Sequence, residues 1–202
     1  MSEDLGIDVS RETFERLQAF EALVQKWTTH INLVSKGDRE HIWSRHIVDS
    51  AQIVEVAPPF ERWVDIGSGG GFPGIVVSII AGETRPDAKV TMIESDQRKA
   101  TFLRTAIREL DLDADVISDR IEQVPPIQAD VLSARALADL SVLLGFAISH
   151  LREGGAALFL KGGNWRAEDE RARSEWQYDC MPISSRTNPE AAILKIQGIQ
   201  RV

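Results

Sequence analysis

Between Trp63 and Gly74 the chain reads Trp-Val-Asp-Ile-Gly-Ser-Gly-Gly-Gly-Phe-Pro-Gly, an apolar run that passes into four glycines within five residues. A helix start follows at Pro73. Glycine lets the backbone turn tightly and approach a ligand closely, so a strand, a glycine loop and a helix in this order suit a nucleotide-like ligand. A merely flexible loop is the plain alternative. Gly69 to Gly74 formally satisfies G-x-G-x-x-G, a weak signal alone. The segment does not fit G-x-x-x-x-G-K-[ST], which argues against a P-loop nucleotidase. The loop also has the form Asp65-x-Gly67-x-Gly69-x-Gly71, with an acidic residue two positions before the first glycine.

That last spacing is the pattern of loops that bind S-adenosylmethionine (SAM). SAM carries an ammonium and a carboxylate where NAD carries a pyrophosphate. Asp65 can order the loop amides, face the ammonium, or simply cap the strand end. The next apolar run ends at Glu94, in Val-Thr-Met-Ile-Glu94-Ser-Asp96. An acidic side chain there can accept hydrogen bonds from both ribose hydroxyls of either ligand. An exposed strand-end acid is the alternative. Asp96 is placed to cap the following helix. A third run leads into Ser118-Asp-Arg120-Ile121-Glu122, where Ile121 can pack on an adenine ring and Glu122 can read its amino group.

These residues need a frame. Short β-rich runs at Trp63–Ile66, Val90–Glu94, Ala114–Ile117, Asp130–Ser133, Ala156–Leu160 and Ala192–Ile196 alternate with helical patterns. The helices fall near Gly74–Ala81, Arg98–Leu110, Leu137–Leu151 and Ala167–Trp176, the second with Phe102, Leu103, Ala106, Ile107 and Leu110 on one face. That alternation predicts an α/β, Rossmann-like, doubly wound and mostly parallel sheet. Residues 1–58 read instead as a helical extension, and 59–202 as the ligand-binding domain. Ser10 is a good N-cap, and Phe14, Leu17, Phe20, Val24, Trp27 and Ile31 form one apolar stripe. Asp38 is expected to cap a second helix that buries Ile42, Trp43, Ile47 and Val54 and stops at Pro58–Pro59.

Composition narrows the class. The chain has 202 residues, of which 43% are hydrophobic and 27% charged, which describes a soluble globular protein of one to two domains. A single cysteine, Cys180, excludes an internal disulfide and a multi-cysteine zinc site, and fits a reducing cytoplasm. The histidines show no metal-ligand spacing. The N-terminus lacks the pattern of a signal peptide, and the apolar run Ile75–Ala81 is too short to span a bilayer. With 23 basic and 31 acidic residues the net charge is −8, so indiscriminate coating by nucleic acid is not expected. Arg166, Arg171 and Arg173 are diluted by Glu168, Asp169 and Glu170 and read as a solvated helix face.

Taken in order, Asn32-Leu-Val-Ser35, Arg45-His46-Ile-Val-Asp49-Ser50, the loop from Asp65 to Gly74, Glu94-Ser95, Arg120-Ile121-Glu122, Ser133-Ala-Arg135-Ala136 and Leu160-Lys161-Gly162 resemble the ribosomal RNA small subunit methyltransferase G family. The resemblance runs from about residue 14 to 200. It implies a cytoplasmic, monomeric enzyme that uses SAM to methylate the N-7 nitrogen of guanine 527 in 16S ribosomal RNA, within the small subunit or its precursor. It places cofactor contacts on Gly67, Phe72, Glu94, Ile121, Glu122 and Arg135, beside Asp65, Gly69 and Gly71 of the loop. Three positions depart from the family pattern. Gly70 replaces a more usual Pro or Ala, which is expected to loosen the loop but keep its path. Val34 stands where a Thr is common. Glu190-Ala191-Ala192 lacks an arginine, for which nearby Arg186 is a candidate substitute.

Guanine N-7 has a lone pair and no proton, so the chemistry needs placement rather than a base. The fourth strand ends in Ser133-Ala-Arg135, not in the [DN]-P-P-[YF] motif that suits an exocyclic amine. Cys180 sits in no Pro-Cys motif, which argues against a cysteine nucleophile. Arg135 is the candidate catalytic residue, holding guanine O-6 or a phosphate; a salt bridge to Asp65 or Glu94 is its structural alternative. Arg45, His46 and Lys161 are candidate substrate contacts. The alternatives there are a partly buried histidine and a solvated lysine. Two rival functions stand beside this one. An NAD-dependent oxidoreductase would want a Tyr-x-x-x-Lys pair, and the only tyrosine, Tyr178, has none. A nucleotide-sensing module would lack catalysis.

Overall fold

The computed structural model describes residues 5–202. Helix α1 (Arg11–Thr28) starts where Ser10 accepts the Thr13 amide, as its cap chemistry requires. Its stripe buries Leu17, Phe20 and Val24, with Thr13 and Thr28 on the same line and Phe14 and Trp27 half-buried beside it. The second helix is not capped by Asp38. It opens as a 3-10 turn, Lys36–His41, in which Ser35 donates to Asp38 (2.6 Å). It then passes through a π-turn, Trp43–Ile47, into α2 (Val48–Val56). The wider turn keeps Ile42 and Ile47 in the core while Trp43 and Val54 are only half-buried. It also presents Arg45 and His46 together, a use to which π-turns are often put.

From Arg62 onward strands and helices alternate: β1 (Arg62–Ile66), α3 (Gly74–Thr84), β2 (Lys89–Ile93), α4 (Gln97–Glu109), β3 (Ala114–Ile117), β4 (Ala129–Arg135), α5 (Leu140–His150), β5 (Leu151–Lys161), α6 (Trp165–Ala172), β6 (Trp176–Ser184) and β7 (Ala192–Arg201). They build one seven-stranded sheet in the order β3-β2-β1-β4-β5-β7-β6. All pairs are parallel except those of β7, which runs antiparallel to β5 and β6. The strand β6 is absent from the sequence reading, which extended α6 through Trp176. Trp176 and Tyr178 do alternate buried with exposed neighbours, but Pro182 hides the signal. Proline is tolerated there because β6 is an edge strand.

Alternate residues of the central strands face opposite cores. Val64, Ile66, Leu132, Ala134, Ala157 and Phe159 pack with α5 and α6. On the other face, α1 and α2 share one core with α3 and α4, through Phe20, Ile47, Phe72, Ile75 and Phe102. The chain reverses its strand order between β1 and β4, and a crevice opens there at the carboxyl ends of the strands. Among the described residues no helix is long and apolar enough to cross a membrane.

Candidate active site

The glycine loop leaves β1 with Gly67, Gly69 and Gly71 all at positive φ (65°, 53° and 83°), a region costly for other residues. Asp65 sits beneath it with no exposed surface. Its carboxylate accepts the Ser133 hydroxyl at 2.7 Å and the Gly74 amide at 3.2 Å, so it ties β1 to β4 and pins the start of α3. A Cβ on Gly74 would come within 2.8 Å of that carboxylate. Asp65 therefore orders the loop rather than lining a cavity. Burial pushes its carboxyl up to about 6, against the hydrogen bonds from Ser133, Ser68 and Gly74.

Glu94 closes the other side. One carboxylate oxygen accepts the Gly69 amide and the other the Asp96 amide, both at 2.8 Å. A cavity of about 370 Å³ lies here, lined by Gly67, Gly69, Glu94, Ile121 and Glu122, all expected from sequence. Leu137, in the bend before α5, and Val142 and Phe146 of α5 add an apolar wall absent from the sequence analysis; α5 is apolar nearly all round, so no single face stands out. The volume lies within the range of small-molecule sites. A Cβ on Gly67 would meet the end of the Leu137 side chain at 2.5 Å, and its φ of 65° would be strained for any other residue.

A larger cavity of about 780 Å³ lies across Ala136, the residue that lines both. It gathers Arg45, His46, Arg135 and Lys161, the expected substrate-side residues, with Asp38, Asp49 and Glu168. Arg135 belongs to this cavity and not to the smaller one. Its guanidinium bridges neither Asp65 nor Glu94. Nη1 donates to the Arg45 carbonyl (3.1 Å) and to Asp49 (3.4 Å), while Nη2 abuts His46 Nδ1. Asp49 in turn accepts from Ser185 (3.1 Å) and Thr187 (3.0 Å). The N-terminal helices, β4 and the β6–β7 loop thus converge on one carboxylate. Asp49 stands in the Arg45–Ser50 motif, but its type alone assigned it no partner.

His46 stacks on Phe72 with ring centroids 5.0 Å apart. Burial, aided by the Arg135 charge, holds its pKa down to about 4, so the ring is neutral near pH 7. Phe72 lies under this stack and against Phe20; its side chain lines neither cavity. Lys161 is not solvated: it pairs with Glu168 at 2.5 Å and donates to the Ala138 carbonyl at 2.9 Å. Arg186, the candidate substitute for an arginine near Glu190, donates to the Gly6 carbonyl and pairs with Glu55, and it is not among the residues lining the larger cavity. Gly70 packs against the Asn32–Ser35 turn. The Leu33 carbonyl oxygen approaches so closely that a Cβ on Gly70 would lie 2.9 Å from it. Arg171 and Arg173 pair with Asp139 and Asp169, as a charged surface helix does. Cys180, half-buried on β6, has its thiol pushed up to about 11 by burial.

With this geometry in place, sequence comparison is decisive. A family model described as rRNA small subunit methyltransferase G matches residues 13–189. The chain belongs to that family. Relatives carrying the name Ribosomal RNA small subunit methyltransferase G include one from Ruegeria pomeroyi, 52% identical over 97% of this chain and 96% of its own length. Another, from Paracoccus denitrificans, is 48% identical over 96% of this chain and 99% of its own. Among solved structures, the fold resembles a SAM dependent methyltransferase from Aquifex aeolicus, with TM-score 0.61 and 10% identity over 87% of this chain and 97% of that one. It also resembles M. jannaschii TYW2 in complex with AdoMet, with TM-score 0.60 and 15% identity over 87% and 80% of the two chains. As a member of the methyltransferase G family the chain has a SAM-dependent methyltransferase fold, and the oxidoreductase and sensor alternatives fall away.

Proposed function

We propose that this protein methylates the N-7 nitrogen of guanine 527 in 16S ribosomal RNA, with SAM as donor. The observation that supports this reading, beside family membership, is that a nucleoside-sized cavity and a larger, arginine-bearing one adjoin at Ala136, which lines both. When bound, SAM supplies an electrophilic methyl group on its sulfonium. Gly67 and Gly69 bring bare backbone to its cleft, and Ile121 and Glu122 form the base end. Each Glu94 oxygen already accepts one amide and retains a lone pair for a ribose hydroxyl. Asp65, Gly71 and Phe72 act from behind, as supports of the loop.

Guanine N-7 carries no proton, so no side chain has to remove one. The protein's contribution is placement, which can supply several kcal/mol of the barrier, about 7 or more in favourable cases. Arg135 is held by Asp49 and the Arg45 carbonyl in one orientation, ready to hold guanine O-6 with the planar fork that lysine lacks. His46, neutral near pH 7, fixes its other edge. Arg45 and Lys161 flank the cavity as contacts for RNA. In this reading residues 1–58 form the roof and 59–202 the catalytic domain, acting as a monomer in the cytoplasm. With net charge −8, recognition rests on a folded ribosomal surface in the small subunit or its precursor, and short unstructured RNA is a poor substrate.

The test is methyl transfer to small subunits that lack the modification, with 7-methylguanine mapped by chemical cleavage at the modified base. Transfer to position 527, with a single-turnover rate nearly flat from about pH 6.5 to 8.5, is expected. Modification of an exocyclic amine, or a tenfold rise per pH unit abolished by changing His46, would refute the reading.

A further inference from the structure

We infer a second binding site, for a backbone phosphate of the substrate RNA, in the cavity between the end of α1 and the start of α4. The inference rests on the RNA-methylating reading above. This cavity, about 390 Å³, is lined by Thr28, His30, Arg39, Asp96, Arg98 and Lys99 among others. It sets three permanent cations against one carboxylate, in a chain whose net charge is −8. The carboxylate is already engaged. Asp96 caps α4 by accepting the amides of Arg98 and Lys99, and it pairs with the Arg98 side chain at 3.4 Å. The described lysine ion pairs are those of Lys89 and Lys161; Lys99, half-buried, makes none.

Behind this wall two side-chain atoms are buried without a partner. Thr28 is 3% exposed, and its Oγ1 is buried without a hydrogen-bond partner. Arg39 Nε is buried and unpartnered as well. The Arg39 guanidinium is braced by Nη2, which donates to the Thr28 carbonyl at 3.0 Å. A phosphate in the cavity meets the surplus of cations: its oxygens can accept from the Arg39 and Arg98 guanidinium groups and from the Lys99 ammonium. A neutral ligand would leave the charge unanswered, and a cation would be repelled.

Position ties the site to the reaction. Lys99 also lines the cavity assigned to SAM, so the two cavities share one side-chain wall. A phosphodiester here would lie beside the cofactor cleft, on the far side of Lys99, where it can fix the register of a bound RNA without touching the target base. Phosphate contacts have this positioning role and carry no sequence information.

The experiment compares the full-length protein with its Arg39→Gln/Arg98→Gln variant. Binding to small ribosomal subunits is measured by filter retention across a potassium chloride series, with SAM affinity measured by calorimetry. Each lost phosphate contact should flatten the slope of log affinity against log salt by about one. We expect subunit affinity to fall roughly tenfold at moderate salt, with SAM affinity unchanged. Arg98→Gln alone, whose side chain is 75% exposed and outside the core, should give a smaller loss in the same direction even if the double variant folds poorly. Unchanged affinity and slope in both variants would overturn the assignment to RNA phosphate. Inorganic phosphate at matched ionic strength separates the two sources of the ligand. If it stabilises the wild type and not the double variant while subunit binding is unaltered, the cavity takes a small oxyanion and the RNA assignment fails. Because binding is read without methyl transfer, wild-type protein that binds subunits but leaves guanine 527 unmodified counts against the functional reading and not against this site.

Discussion

Arg135, at the carboxyl end of β4, and Asp49, on the first turn of α2, meet at 3.4 Å across the larger cavity, with side chains only 16% and 17% exposed. This contact joins the N-terminal helices to the sheet at the point where the substrate is to be placed. A buried pair adds little net stability, but breaking it strands a charge. Asp49→Ala should therefore lower stability by about 3 kcal/mol and slow methyl transfer by freeing the guanidinium. Combining it with Arg135→Met should restore most of the stability and none of the activity. Denaturant titration and single-turnover rates test both halves; a double variant as unstable as the single one would refute the account.

Glu94 holds the glycine loop and faces the cofactor cleft at once. Glu94→Ala removes the acceptors of the Gly69 and Asp96 amides together with the proposed ribose contacts. At about 0.5–1.5 kcal/mol for each hydrogen bond, SAM affinity should fall by roughly ten- to a hundredfold. Glu94→Gln keeps one acceptor oxygen and should fall in between. Calorimetry decides, and equal affinities in all three proteins would remove Glu94 from the site.

The parts legible in the sequence were those with a local signature. The Ser10 cap, the α4 stripe through Phe102 and Ala106, and the glycine loop each follow from residue type and spacing within one element. So does the cavity set Gly67, Gly69, Glu94, Ile121 and Glu122, because strand ends in this topology converge by rule. What escaped depends on contacts between distant segments. Asp49 acquires its role only when Arg135, 86 residues on, and Ser185, 136 residues on, fold against it. For Lys161 the sequence left an RNA contact and a solvated lysine side by side; its partner Glu168 comes from α6. The second helix was read with a regular period, which the π-turn at Trp43–Ile47 breaks.

Gly70 offers a sharper case. Its place in the loop suggested slack, yet the Leu33 carbonyl packs where a side chain would stand. Gly70→Ala should cost about 1–3 kcal/mol by overpacking, or shift the Asn32–Ser35 turn away from the loop. Thermal denaturation of this variant checks the contact. A stability equal to wild type, with SAM binding intact, would mean that the turn yields freely.

Two buried groups at the site titrate in opposite senses as pH changes. Asp65, with a pKa of about 6 against an ordinary 3.8, binds its proton more tightly when folded. Its favourable contribution is fully present below the unfolded value and is lost as pH rises through about 6. His46, at about 4 against 6.5, is the reverse: its contribution is present above the unfolded value and is lost as pH falls through about 4. At about 1.4 kcal/mol per pKa unit, each is worth on the order of 3 kcal/mol, and over the shared window they oppose one another. The wild type should therefore show a shallow stability profile between about pH 4 and 6.5. Asp65→Asn should unmask the histidine, so that stability climbs with pH across that window. His46→Gln should unmask the aspartate, so that stability falls instead. Urea denaturation at half-unit pH steps reads both slopes. Parallel profiles for the two variants would show that neither group carries the burial-driven shift assigned to it.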